Sequence, residues 1–557
     1  MRQFRPQDEV DFVVIGSGAG GGIMAKQLSM AGFSVVVLEQ GGWGKYGHEQ
    51  DYIKDELLNR NLSPEDRLLS DPTRQRNTFR RNDREEADPG RHSYGCVVGG
   101  GTVTYGGSSW RHLPWEFNEA STVGTIADTG LADWPISYEE IEPYYTQAEW
   151  EMGISGLRVD SPFVAPMSKE YPVPPVPIKS SGALFNVAAA KLGLTVVPGP
   201  LALITQPYMG RSGCVNCGLC SGYGCHVRAR SSSAVTVLPI AVETGNCEIR
   251  ANSYVREISV DNSGRVTGAT YFNAQKQEVF QRAKAVVLSA NAGESARLLL
   301  LSKSGRFPNG LANSNDVVGR YLMLGGGASA HGIMEHPLND YKGVVSGTAI
   351  LDYVSSDPDR GFYGGGRLTS RGYSTPISYG LGGLSPDSPR WGAGYKQALR
   401  EEARHKFTIQ SFVTQLPLET NRVDLDPDVK DEWGLPAMRI TSTSHPDDIK
   451  NMEFFRQKGI EILEAVGAKK VWASPVNDSR GGAHNRGTCR MGDDPSTSVV
   501  NKFHRAHDVP NLFVVDGSNL VTGGRNHPTM TIQALAFRAA EHLIRAAEGG
   551  DLTVGGS

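Results

Sequence analysis

Apolar and polar positions alternate along this chain in a few recognisable blocks. DFVVIGSGAGGGIMAKQLSMAGFSVVVLEQG, from Asp11 to Gly41, is a short apolar run, a glycine turn, a stretch with small and apolar residues toward one side, and a second apolar run. That succession predicts strand, helix and strand, a βαβ unit. AKAVVLSANAGESARLLLLSKSG (283–305) predicts a buried strand, a glycine turn at Ala292 and Gly293, and a helix of apolar period that completes the same sheet. NLFVVDGSNLVTGGRNHPTMTIQALAFRAAEHL (511–543) predicts a strand ending at Asp516, a loop and an amphipathic helix. The Pro-rich YPVPPVPIKSS marks a crossing strand or linker.

Glycine placement gives the first block a chemistry. Gly16, Gly18 and Gly21 form GxGxxG: the first permits the turn, the second lets backbone approach a pyrophosphate, and the third lets helix pack on strand. The helix N-terminus then faces the phosphates. Glu39 closes the second strand 18 residues after Gly21, where a carboxylate accepts from ribose hydroxyls and disfavours a 2′-phosphate. This fingerprint does not separate NAD from FAD. The 511–543 segment favours FAD, because its helix N-terminus can aim at a flavin ring.

Composition narrows the partners. The 557 residues are 39% hydrophobic and 21% charged, enough for a large core in two or more structural units. Formal net charge is −4 with both signs interspersed, so no basic field advertises nucleic acid or a lipid surface. A small molecule is the expected partner. No run of about 18 apolar residues occurs, and MRQFRPQDEVDF lacks an apolar signal core and a twin-arginine pair. The chain is expected neither to span a membrane nor to export itself. There are 66 glycines in 557 residues, well above the usual ~7%. They gather at 16–22, 99–107, 213–224, 325–327, 363–366 and 481–487.

Several longer motifs follow in a definite order: VVGGGTVTYGGSSWRHLPWEF (97–117), DWPISYEEIEPYYTQAE (133–149), NRVDLDPDVKDEWGLPAMRI (421–440) and HNRGTCRMGDDPSTSVVNKFHRAHDVPNLFVVDGS (484–518). In these the chain resembles the glucose-methanol-choline (GMC) oxidoreductases over nearly its whole length. In detail it is most similar to the family's bacterial sugar dehydrogenases, among them gluconate, glucose, fructose and glucoside 3-dehydrogenases. The resemblance implies an α/β fold with FAD in a Rossmann-like domain, assembled from 8–150, 211–322 and 475–548. It implies a substrate domain from 151–210 and 323–474, an antiparallel sheet roofing the flavin. It places the flavin-contacting segment at Gly100, Gly107 and Ser108, with further cofactor contacts at Val255, Ala292, Asp516 and Thr529.

Alcohol oxidation needs a base at the hydroxyl and a flavin edge at the same carbon. Histidine suits the base, since its ordinary pKa of ~6.5 lies near working pH. His484 begins the segment matching the family's HxxGTxxM. His527 lies where the family places a second histidine or an asparagine before proline. The resemblance implies His484 as general base and His527 as its partner at the substrate oxygen, though the residues alone allow the reverse order. Asn526 could orient His527 or substrate, or simply serve the turn. His445, His504 and His507 stand among charges and are expected in solvated loops. Cys489 reads as a small apolar filler, and Ser108 and Ser109 lack a GxSxG elbow.

Cys214, Cys217, Cys220 and Cys225 fall within twelve positions of a chain with seven cysteines. A disulfide framework suits small exported domains. Zinc prefers two CxxC pairs separated by a longer span. An iron–sulfur cluster uses thiolates on a short loop such as CxxCxxCxxxxC, and fits the spacing better than either. The sugar dehydrogenases resembled here carry a 3Fe-4S cluster in the corresponding segment. Three ligands suffice there, with Cys217 or Cys220 the one to spare. Arg228 and Arg230 could offset the cluster's negative charge or face water.

The chain has no CxxCH for a c-type haem. A dehydrogenase of this kind therefore needs a separate acceptor. The resemblance implies a cytochrome subunit, a small subunit carrying the export signal, and a periplasmic, membrane-associated location through those partners; the sequence itself equally fits the cytoplasm. The expected reaction is oxidation of a sugar or glycoside hydroxyl. An oxidase with structural cysteines and a non-catalytic flavin-binding subunit are the alternatives.

Overall fold

The computed structural model describes residues 3–43, 69–90, 92–372, 375–476 and 484–552. Of the glycines grouped at 481–487, Gly481 and Gly482 lie outside the described residues.

The first sheet is built from apolar runs. β1 (Val10–Ile15) lies between β2 (Val35–Leu38) and β9 (Glu278–Leu288), parallel to both; β6 (Cys247–Arg250) flanks β2, and β17 (Leu512–Val514) flanks β9. Val13 sits opposite Val36 on one side and Val286 on the other. Parallel strands covered by helices on both faces need side chains that are apolar throughout, which is why VDFVVI and VVVL do not alternate. The first half of β9 turns the other way out of this layer and forms an antiparallel meander with β8 (Val266–Phe272) and β7 (Tyr254–Val260). The expected turn after β9 comes one step early: Ser289 and Ala290 make it, the helix starts at Asn291, and Ala292 and Gly293 lie in its first turn. Asn291, at φ +75°, takes the left-handed conformation that asparagine tolerates.

The second sheet is antiparallel throughout, in the order β16 (Lys470–Ala473), β10 (Ser329–Ile333), β13 (Lys406–Val413), β12 (Gly366–Arg371), β11 (Thr348–Ile350) and β5 (Val196–Pro198). KFTIQSFV alternates as a sheet with two different faces must. Phe407, Ile409 and Val413 join a buried cluster with Phe455 and Leu463 of the helix Pro446–Ala465. Thr408, Gln410 and Phe412 alternate onto the other face, Gln410 and Phe412 reaching the first sheet's carboxyl edge.

A third, smaller sheet holds β14 (Arg422–Lys430), β15 (Pro436–Thr441), β3 (Asn77–Arg80) and β4 (Asp88–Pro89). Its strands come from stretches that the sequence division places in both units, 69–90 and 422–441. This hairpin pairs with β3 and packs on the nucleotide unit. Arg297 donates to Asp431 at 2.6 Å, Trp433 stacks on Tyr254 at 3.8 Å, and Val423, Met438 and Ile440 enter the core built around β1.

Candidate active site

Carboxyl ends of the parallel strands converge on one cavity of ≈ 570 Å³. Gly16 follows β1, Glu39 follows β2, Ser289 follows β9 and Asp516 lies just beyond β17; all four line it. Open α/β sheets bind ligands along this edge. Gly16 has φ +95°, and a Cβ there would stand 2.3 Å from the Ser289 carbonyl oxygen, so the turn out of β1 requires glycine. Gly18 lines the cavity, with nothing within 4 Å of where its Cβ would be: bare backbone borders empty space, as a pyrophosphate cradle requires. Gly21 stays out of the cavity. Its Cβ would meet the Gly16 carbonyl oxygen at 2.0 Å, so its role is close packing beneath the turn.

Glu39 is buried beside this turn. It accepts from the Ser17 N–H at 3.1 Å, the Ser17 hydroxyl at 2.7 Å and the Gly41 N–H at 2.9 Å, which leaves lone pairs for ribose hydroxyls. Burial raises its pKa. Gly100, Gly107, Ser108, Val255, Ala292 and Thr529 also line the cavity, so Gly21 is the one residue expected at the cofactor that does not. The last helix, Thr529–Glu548, begins at the cavity wall and turns its N-terminus toward it.

His484 and His527 stand at the far end of the same cavity, their ring centroids 4.5 Å apart and their planes at 81°. Backbone pairing brings them together: the N–H groups of Gly487, Cys489 and Met491 donate to the carbonyls of Gly517, Ser518 and Asn519, which lays the His484 loop along the approach to His527. Phe412 lies 4.2 Å from His527 and 6.1 Å from His484, centroid to centroid. Burial first, then the Arg486 and Arg367 guanidinium groups, hold the His484 pKa down to about 3. His527 is likewise held well below the ordinary histidine range, by burial first, then by His484 and Arg367. Both imidazoles are neutral at neutral pH.

Asn526 is not part of the cavity lining. Its Oδ1 accepts from Arg367 Nη1 at 2.8 Å. Arg371, Gln410 and Phe412, from β12 and β13, are the wall that sequence reasoning missed, with Arg367 of β12 behind His527. The period of two in KFTIQSFV was the signal available, since it separates the core positions from those facing the cofactor.

Other expectations need correction. His504 is fully buried, not solvated. Its φ of +66° turns the chain inward, and its Nδ1 shares a 2.9 Å hydrogen bond with Asn519 Oδ1. His445 caps the helix Pro446–Ala465, its Nδ1 accepting from the Asp447 N–H. His507 bonds Ser498. Arg230 faces neither water nor thiolates alone: it is buried and donates to the carbonyls of Cys220, Tyr223 and Val103. Arg228 is exposed.

Cys214, Cys217, Cys220 and Cys225 line one small cavity of ≈ 20 Å³ with Leu203, Val227 and Arg230. No disulfide joins them. Among the described residues no three or more His, Cys, Asp or Glu side chains are spaced to hold a single metal ion. Zinc would need its sulfurs gathered ~2.3 Å from one point. Thiolates around a multi-iron cluster stand further apart, each on its own iron. Cys214 Sγ accepts from the Asn216 N–H and Cys225 Sγ from the Arg230 N–H, both at 3.4 Å, while burial pushes the Cys214 thiol pKa up to about 11.

Residues 89–325 and 417–536 match the amino-terminal and carboxyl-terminal domains of the GMC oxidoreductases. The chain belongs to the GMC oxidoreductase family. This GMC protein is 34% identical to 2-methyl-1,2-propanediol dehydrogenase of Mycolicibacterium austroafricanum, over 97% of this chain and 96% of that one. It is 30% identical to the gluconate 2-dehydrogenase flavoprotein of Pantoea cypripedii, over 96% and 93% of the two chains. A solved structure of Aspergillus oryzae formate oxidase, a variant studied for FAD modification, superposes with a TM-score of 0.67 over 99% of this chain and 100% of that one, at 14% identity. As a GMC oxidoreductase the protein uses FAD, and the cavity that joins Gly18 to His527 has the backbone cradle and acceptor carboxylate that FAD needs.

Proposed function

We propose that the protein is an FAD-dependent dehydrogenase that oxidises a hydroxyl of a sugar, glycoside or related polyol and passes the electrons to an external acceptor. What carries this reading is the single cavity that joins the nucleotide turn at Gly16 and Gly18 to the imidazole pair. When bound, FAD supplies the hydride acceptor. His484 takes the hydroxyl proton, its lone pair kept free at neutral pH by the burial and guanidinium groups that depress its pKa. His527 bonds the same oxygen. Names of the relatives support the substrate class: gluconate and a 1,2-propanediol both carry adjacent hydroxyls.

The thiol loop is the proposed electron outlet. Cys214, Cys217, Cys220 and Cys225 would hold an iron–sulfur cluster, which supplies one-electron transfer; in the 3Fe-4S form one cysteine is spare. Position supports this: Ser221 and Gly222, next to Cys220, line the flavin cavity, and the Gly222 N–H donates to the Thr104 carbonyl at 2.7 Å. The acceptor is then a separate carrier such as a cytochrome, and a small exported subunit would bring the chain to the periplasm. No helix among the described residues is long and apolar enough to cross a membrane.

The test is the anaerobic visible spectrum of the holoprotein before and after a panel of sugars, glycosides and diols, with iron counted on the same sample. Bleaching of the flavin bands over a broad iron–sulfur shoulder is the expected result. Peroxide formed in step with substrate by an iron-free protein would make it an oxidase. His484→Ala should slow bleaching by ~10²–10⁴-fold, the range of a lost general base; undiminished bleaching would refute its role.

A further inference from the structure

The imidazole pair leaves open which ring takes the proton. Arg367, on β12 opposite Phe412 of β13, closes that question. It is 1% exposed, with its guanidinium carbon 5.2 Å from the Trp110 ring centre and 5.1 Å from that of Phe412. Nη1 donates to Asn526 Oδ1 at 2.8 Å; Nη2 donates to Ser108 Oγ at 3.1 Å and to Nδ1 of His527. Arg367 makes no salt bridge among the described residues.

A guanidinium carries donors only, so the ring nitrogen facing it must offer a lone pair. We propose that Arg367 is the positioning residue that divides the work of the two histidines: by donating to Nδ1 it keeps the His527 proton on Nε2. His527 then presents an N–H to the substrate oxygen, and the base is His484. The same contact sets an uncompensated positive charge one ring away from the oxygen on which negative charge grows, where a fixed charge in a dry site is most effective. Burial lowers the Arg367 pKa to about 9, which still leaves it charged at neutral pH. The charged groups acting on the pair are Arg367 and Arg371 from β12 and Arg486 from the His484 loop.

This assignment rests on the alcohol-oxidising reading for its kinetic consequences but not for the tautomer, so the test has two readouts. In holoprotein carrying ¹⁵N-histidine, with the His527 signals identified by their loss in His527→Asn, Nδ1 should show the shift of an unprotonated ring nitrogen and Nε2 that of an N–H. The opposite tautomer would overturn the proposal whatever the enzyme oxidises. In the second readout, kcat/KM for anaerobic flavin bleaching is followed from pH 5 to 8 in wild type, Arg367→Met and Arg367→Lys, each normalised to bound flavin. Wild type should be flat. Arg367→Met should be slower by 10-fold or more with its profile still flat, because burial, the larger cause, keeps both imidazoles neutral. Arg367→Lys, which keeps a charge without the fork, should hold the flat profile at a reduced rate. An Arg367→Met rate equal to wild type, with the His527 tautomer unchanged, would reduce the residue to packing. Failure of any alcohol to bleach wild-type flavin would refute the proposed function while the tautomer readout still stands.

Discussion

Gly16, Gly18 and Gly21 look equivalent in the fingerprint, but a methyl group would meet something different at each. At Gly18 it would enter the space left for the cofactor, and at Gly21 it would strike the Gly16 carbonyl oxygen at 2.0 Å. Gly18→Ala should therefore purify with less FAD but an apoprotein that melts like wild type. Gly21→Ala should lose FAD and also lower the melting temperature of the apoprotein, because helix and turn must separate. Flavin content and apoprotein melting, measured together, distinguish the two. The fingerprint was legible because its chemistry is local: turn, cradle and packing lie within a few residues. Arg367 was not, because what makes it special is a fold that removes it from water and places no carboxylate beside it. His504 misled for the same reason, since KFHRAHD is charged along the chain while its φ of +66° turns that one ring into the core.

Among the elements, periodicity carried more than it was asked for. The apolar runs of β1, β2 and β9 announce a doubly covered sheet, and the alternation of β13 separates helix-packed positions from cavity-facing ones. Long-range pairing is what no run of letters shows: the hairpin β14–β15 joined β3 rather than the antiparallel cover, because Arg297, Asp431, Trp433 and Tyr254 lock it to the nucleotide unit. The thiol loop has a prediction of its own. Cys225→Ser should keep FAD and keep substrate-driven bleaching, since no thiol belongs to the histidine end, yet lose iron and lose turnover with a one-electron dye or cytochrome. Unchanged iron and turnover would show that Cys225 is dispensable, and unchanged values in Cys214→Ser as well would dismiss the cluster.

At the scale of the molecule, buried neutral histidines make it acid-labile. Burial holds His112 down to about 3 and His504 to about 4, against ~6.5 in an unfolded chain. Between those values the unfolded state binds the extra proton. Each histidine's contribution is therefore whole above about pH 6.5 and falls, by up to ~1.4 kcal/mol per pH unit, as pH drops toward the folded value. Asparagine tolerates the left-handed backbone at 504. His504→Asn should melt below wild type at pH 7, and the gap should narrow by pH 5 as only wild type meets the protonation cost; a constant gap would contradict it.

The first helix, Ala19–Met30, packs on the last, Thr529–Glu548, and β9 gains its outer neighbour only from β17. During synthesis at ~5–20 residues per second, the nascent nucleotide unit therefore waits on the order of half a minute or more for these later pieces. Until residues 512–548 have emerged, an apolar helix face and a strand edge stay open to other chains, so the yield of this protein should depend on elongation rate and on chaperones far more than its finished core suggests.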